Sequence, residues 1–221
     1  MTSGTTLPAP TRTVVHLVRH GEVDNPTGVL YGRMPGFRLS ALGRRMAEAV
    51  AAHLAPNDIT HIVSSPLERA QETATPIAEA HSLEIVVDER VIESENYFEG
   101  MAIGRGEGSL ANPRHWPRLL NPFRPSWGEP YEAVAERMIE AIEDARRAAE
   151  GHEAVIVSHQ LPVWTARNKL ARARLWHDPR KRECTLASLT SLLFEEGELQ
   201  SITYSEPAAD LLVGAAKGAG A

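Results

Sequence analysis

Apolar positions recur along this chain with two different periods, and the switches between them lay out its elements. Residues 13–18 (TVVHLV) are a short apolar, β-branched run that stops at Arg19-His20-Gly21-Glu22, the pattern of a buried strand. Leu42, Met46, Ala49, Val50 and Leu54 then fall on one helical face, with Ser40 placed as N-cap. Residues 59–64 predict a second strand. Ser65 and Pro66 follow at once, as N-cap and first residue of a second helix. Residues 83–87 predict a third strand. The clearest helical stripe is Val134, Met138, Ile142 and Ala145 within residues 131–147, where Glu143 stands four before Arg147. Residues 154–157 are another apolar strand, ending at Ser158-His159-Gln160, with Pro162 opening the helix behind it. Residues 186–194 and 199–204, separated by Glu195-Glu196-Gly197-Glu198, read as a closing hairpin.

Strands alternating with amphipathic helices predict an α/β protein, a three-layer α/β/α sandwich with a mainly parallel sheet. The pattern makes one domain of residues 13–205. Periodicity is lost over residues 101–128, a stretch studded with prolines and glycines that reads as an irregular insertion. A polar arm (1–12) is expected to be disordered and a small-residue tail (206–221) flexible. No internal repeat is present.

Composition narrows the function classes. At 221 residues the chain suits one sizeable domain, with 43% hydrophobic and 24% charged residues. A net charge of −6 recommends neither nucleic acid nor an anionic membrane as partner, and leaves room for a local cationic pocket. The single cysteine, Cys184, excludes an intramolecular disulfide and a thiolate metal cage, and reads as a small buried hydrophobe. Nothing resembles a signal peptide or a membrane span, which points to the cytoplasm.

The polar clusters each follow a strand directly, where ligands of parallel sheets gather. In the first, the neutral imidazole of His20 is a candidate nucleophile toward phosphorus. Arg19 beside it offers a fork of donors to phosphate oxygens, and Gly21 permits close backbone approach. In the second, residues 64–74 (SSPLERAQETA), a helix N-terminus faces the strand end and Arg69 lies in the first turn. In the third, His159 ends a buried strand, with backbone N–H groups beyond it. The scattered histidines offer no metal-ligand spacing, and no Gly-rich nucleotide loop is present, so neither metal nor cofactor is expected.

RHGE, SSPLERAQETA and the late strand ending in SHQ together resemble the histidine phosphatase superfamily, the phosphoglycerate-mutase-like proteins, over roughly residues 13–204. The resemblance implies that His20 becomes transiently phosphorylated and that Arg19, Arg69 and His159 line the phosphate pocket. Asn25 stands close to a pocket asparagine of the family, one position nearer the histidine than usual. Gly32 opens a segment (32–40) resembling the one that borders substrate. Gln160 replaces a common glycine and is expected at the pocket as donor or as constriction. The acidic stretch 88–100, ending in Phe98-Glu99-Gly100, matches the family's proton-donor segment, with Glu93 the best match and Glu95 the alternative.

The middle of the chain does not match the mutases' arginine-rich segment, which turns the implied activity toward a phosphatase acting on a small phosphorylated metabolite. A phosphoglycerate-mutase-type isomerase and a non-catalytic phosphate-binding module are the alternatives, and a homo-oligomer is compatible with the sequence. Arg105, Arg114, Arg118 and Arg124 oppose only Glu107 in the insertion, interleaved with Trp116, Phe123 and Trp127. That composition suits either a lid over an anionic substrate or a surface loop pinned by its aromatics.

Overall fold

The computed structural model describes residues 11–102, 128–178 and 181–215. Among these, six strands form one sheet: β1 (Arg12–Arg19), β2 (Ile59–Ser64), β3 (Ile85–Val87), β4 (Glu153–Ser158), β5 (Leu189–Glu195) and β6 (Glu198–Ser205). Their spatial order is β3-β2-β4-β1-β5-β6. The first four run parallel, and β5 and β6 add an antiparallel hairpin at one edge. Glu196 and Gly197 join that hairpin at φ 48° and 82°, the two positive angles a type I′ turn requires.

Central β1 and β4 are covered on both faces, which explains why VVHLVR and EAVIVS are apolar almost throughout. On one face Met46, Val50 and Leu54 of α1 (Ala41–Leu54) and Ala70 and Ile77 of α2 (Glu68–His81) pack against Val18, Ile62, Val155 and Val157. On the other, Met138 and Ile142 of α3 (Tyr131–Ala148) and Val163 and Trp164 of α4 (Gln160–Leu170) pack against Val15, Leu17, Ile156 and Leu192. The three expected layers are therefore present, and the period-2 alternation of β1 sends Leu17 and Val18 to opposite cores.

Several boundaries differ from the sequence reading, each for a local reason. Ser65 does not cap α2: its N–H still bonds Val157 O (3.0 Å), extending the sheet ladder, so the chain turns through Pro66 and Leu67 before the helix starts at Glu68. The third strand loses Leu83 and Glu84 because Ser82 adopts a left-handed cap (φ 56°) and Leu83 N–H closes α2 on Ala78 O (3.0 Å). Pro162 does not open α4; His159 is the N-cap, and Pro162 sits in the first turn, where its missing N–H loses no helical bond. The last hairpin starts at Leu189, because residues before it turn over the His20 loop: Ala187 (φ 55°) donates to His20 O and Ser188 O accepts Arg19 N–H.

Within the stretch read as a flexible tail, residues 209–214 form a 3-10 helix (Ala209–Gly214) whose Leu211 and Leu212 pack on the α1 side of the core. The arm before residue 11, most of the insertion (103–127) with the lid reading, and residues 216–221 lie outside the described residues.

Candidate active site

The site begins where β1 stops. His20 N–H donates to Ser158 O (3.1 Å), and the next peptide folds against both helices of one face. A Cβ at Gly21 would stand 2.5 Å from Gly43 O, and one at Gly43 would collide with Glu22 O, so this pair of glycines lets the loop lie on the first turn of α1. Gly21 N–H donates to Thr73 Oγ1 (3.1 Å), which donates to Arg69 O (2.7 Å). Ser40 caps α1 by accepting Gly43 N–H (2.9 Å) and donates to Glu22 Oε2 (2.5 Å).

The braced loop decides the state of His20, which is 2% exposed. Its Nδ1 lies 2.7 Å from Gly21 O. A carbonyl only accepts, so Nδ1 carries the ring proton and Nε2 keeps the lone pair. Burial, then the charges of Arg69 and Arg19, hold the imidazole well below its ordinary pKa against the opposing Gly21 carbonyl. The ring is neutral at pH 7, the form a nucleophile needs.

Donors surround it. Arg19 gives Nη1 to Cys184 O (2.7 Å), and Arg69 gives Nη2 to Gly32 O (2.6 Å). Arg19 Nε and Arg69 Nε and Nη1 are buried with no hydrogen-bond partner among the described residues. His159 has its ring centroid 5.1 Å from that of His20. Its Nε2 lies 2.8 Å from Ser65 Oγ, and Ser65 Oγ already accepts Leu67 N–H (3.3 Å). Ser65 Oγ can donate to Nε2 or accept from it; in the tautomer where it donates, the His159 proton sits on Nδ1, another buried atom without a partner among the described residues. Burial and Arg69 hold His159 well below its ordinary pKa too. A group of buried, unused donors around one nucleophilic nitrogen is suited to a tetrahedral oxyanion.

The acidic stretch 88–100 bears on these groups through Glu93. Glu93 is half-buried, accepting Ser94 N–H at Oε1 (2.8 Å), and its charge acts on Arg69 and Tyr31. Its backbone is clamped: Glu93 O accepts Arg33 Nε (2.6 Å), and Arg137 Nη1 donates to Arg90 O (2.6 Å) and Ile92 O (2.7 Å). Both arginines also bond Glu129, at 2.9 Å from Arg33 and 2.8 Å from Arg137. Glu95 points out, its side chain 71% exposed against Arg33.

The remaining sequence candidates occupy supporting places. Asn25 uses its amide on its own loop, donating to Val29 O (2.8 Å) and accepting Val29 N–H (3.2 Å). Gly32 (φ 40°) supplies the carbonyl that holds Arg69, and a Cβ there would collide with the Glu99 carboxylate. Gln160 bridges Cys184 O (3.2 Å) and Arg182 Nη1 (3.0 Å), sharing with Arg19 the carbonyl of Cys184, whose thiol is buried. Sequence reasoning assigned no task to Tyr31, Glu129, Arg137 or Arg182, took in Arg33 and Thr73 only as members of the stretches 32–40 and 64–74, and gave Ser65 the wrong task.

Several known proteins resemble this chain. The Mycobacterium tuberculosis protein Rv0525 is 57% identical over 200 residues, 90% of this chain and 99% of that one. The 2,3-bisphosphoglycerate-dependent phosphoglycerate mutase of Thermoplasma acidophilum is 34% identical over 152 residues, 68% of this chain and 72% of its own. The structure of phosphoserine phosphatase from Entamoeba histolytica in complex with 3-phosphoglyceric acid superposes with a TM-score of 0.71 at 23% identity, covering 88% of this chain and 98% of that one, a likeness of fold. The model of the histidine phosphatase superfamily (branch 1) matches residues 15–207, and this chain belongs to that superfamily.

Proposed function

We propose that this protein is a phosphatase that hydrolyses the phosphate monoester of a small metabolite through a phosphohistidine at His20. The observation that carries the reading is the fixed tautomer of His20: Nδ1–H is committed to Gly21 O, leaving Nε2 basic amid buried donors of Arg19, Arg69 and His159. In the first step the Nε2 lone pair attacks phosphorus and the P–O ester bond breaks. Its electron pair stays on the leaving oxygen, which takes the Glu93 proton. In the second step Glu93 carboxylate takes a proton from water, the water oxygen attacks phosphorus, and the P–N bond electrons return to Nε2. Arg19, Arg69 and His159 offset the charge on the non-bridging oxygens throughout, so catalysis is mostly positioning and electrostatics.

Water as acceptor, in place of a second substrate oxygen, is supported by the lack of a mutase-like arginine-rich segment in residues 101–128. Rapid acid–base quench with labelled substrate tests the reading. An acid-labile, base-stable phosphoprotein should form in the wild type and be absent in His20→Ala, whose turnover should fall by about 10⁴-fold or more. Near-full turnover in His20→Ala would sink the mechanism. Isomerised substrate in place of free phosphate would move the chain to the mutases.

A further inference from the structure

Tyr31 is 4% exposed, and its hydroxyl oxygen is buried with no hydrogen-bond partner among the described residues. Leaving a phenol in that state is destabilising relative to a phenylalanine packed the same way. Its ring, in contrast, is held on three sides. It stacks on Phe37 at 5.2 Å and 27°, carries the Arg69 guanidinium 4.7 Å from its centroid, and meets the His20 ring at 6.4 Å. The hydroxyl therefore belongs to the same group of unused donors as Arg19 Nε and Arg69 Nη1. Burial raises its pKa from the ordinary value of 10.0 despite Arg19 and Arg69, so the phenol keeps its proton and meets an anion as a donor.

We propose that Tyr31 is a further catalytic residue, its O–H donating a hydrogen bond to a non-bridging oxygen of the phosphoryl group as that group moves to and from His20 Nε2. The inference rests on the phosphoryl-transfer reading above. No proton changes hands at Tyr31. The arginines carry charge, whereas the phenol adds a rigid neutral donor whose position is set by Phe37 and Arg69. A non-bridging oxygen is present whatever the leaving group, which separates this role from that of Glu93.

Tyr31→Phe keeps the ring and removes only the hydroxyl. On both nitrophenyl phosphate and an alkyl phosphate, kcat/KM should fall by about 10- to 100-fold, and vanadate affinity by at least about tenfold. The melting temperature should hold or rise, because an unsatisfied buried hydroxyl is gone. The proposal is overturned if rate and vanadate affinity stay within about twofold of wild type. It is also overturned if the loss is confined to alkyl phosphates, or if activity falls only together with melting temperature. Should the wild type prove not to release phosphate, the reaction reading fails by itself; titration of wild type and Tyr31→Phe with vanadate and inorganic phosphate still decides the contact.

Discussion

Arg19 and Arg69 each give one guanidinium nitrogen to a neutral carbonyl, those of Cys184 and Gly32, and keep buried N–H groups without a partner among the described residues. Arg33 and Arg137, on the acid side, are filled: they share the Glu129 carboxylate and grip the carbonyls of Arg90, Ile92 and Glu93. No carboxylate pairs with the first two arginines among the described residues, so their charge is held in reserve inside the fold. That arrangement costs stability in the empty protein and strengthens attraction for a buried anion. The second pair is compensated by Glu129 and, at Arg33, by Glu95 as well, and acts as a brace. The contrast separates cations left open to a ligand from cations committed to shaping the loop that carries Glu93.

The largest effects should come from breaking the reserved pair. Arg19→Met and Arg69→Met should each lower kcat/KM by about 10²–10³-fold, and the double variant should lose far less than the product, because both act on one phosphoryl charge. Multiplicative losses in steady-state kinetics would mean that the two do not share it. Thermal stability should drop little in either case, since each removes an uncompensated buried charge along with a single carbonyl contact.

Smaller and more selective effects are expected on the braced side. Glu93→Gln should slow alkyl phosphates by about 10²-fold and leave nitrophenyl phosphate within a few-fold, because nitrophenolate departs without a proton. Glu95→Gln, altering a carboxylate that is 71% exposed, should change neither. Arg137→Gln should reproduce the leaving-group pattern at about a tenth of the size, by loosening the Glu93 backbone. Equal losses on both ester types would assign Arg137 to general folding and Glu93 to something other than proton donation.

The smallest effect is thermodynamic. His20 and His159 are both held well below their ordinary pKa of 6.5, first by burial and next by Arg69. The unfolded chain takes up these protons as pH falls through about 6.5, and the folded chain refuses them. Stability from this source is complete above that pH and is lost below it, at up to about 1.4 kcal/mol per pH unit per histidine until the folded values are reached. Melting temperatures between pH 7.5 and 5.5 should fall more steeply for the wild type than for His20→Asn or Arg69→Met. Parallel slopes would show that the histidines titrate normally.

The layered fold, most of its elements and the corner where His20, Arg69 and His159 come together were legible in the chain alone. Apolar periodicity is a local property, and the burial of Val15, Leu17, Met138 and Ile142 follows it residue by residue. RHGE, SSPLER and SHQ were legible because each sits directly behind a strand, where chain direction alone brings strand ends together. Tertiary structure decided which polar groups are already committed and which are left for a ligand. Asn25 and Gln160, candidates by position, have their amides in protein contacts, and Gly32 acts through a carbonyl that any residue owns. Nothing in the sequence around Tyr31 tells that its hydroxyl is buried, and the clamp on Glu93 joins Arg33 to Glu129 across 96 positions. Hydrogen-bond commitment depends on partners distant in sequence, and a single chain read in order carries no record of which of them meet.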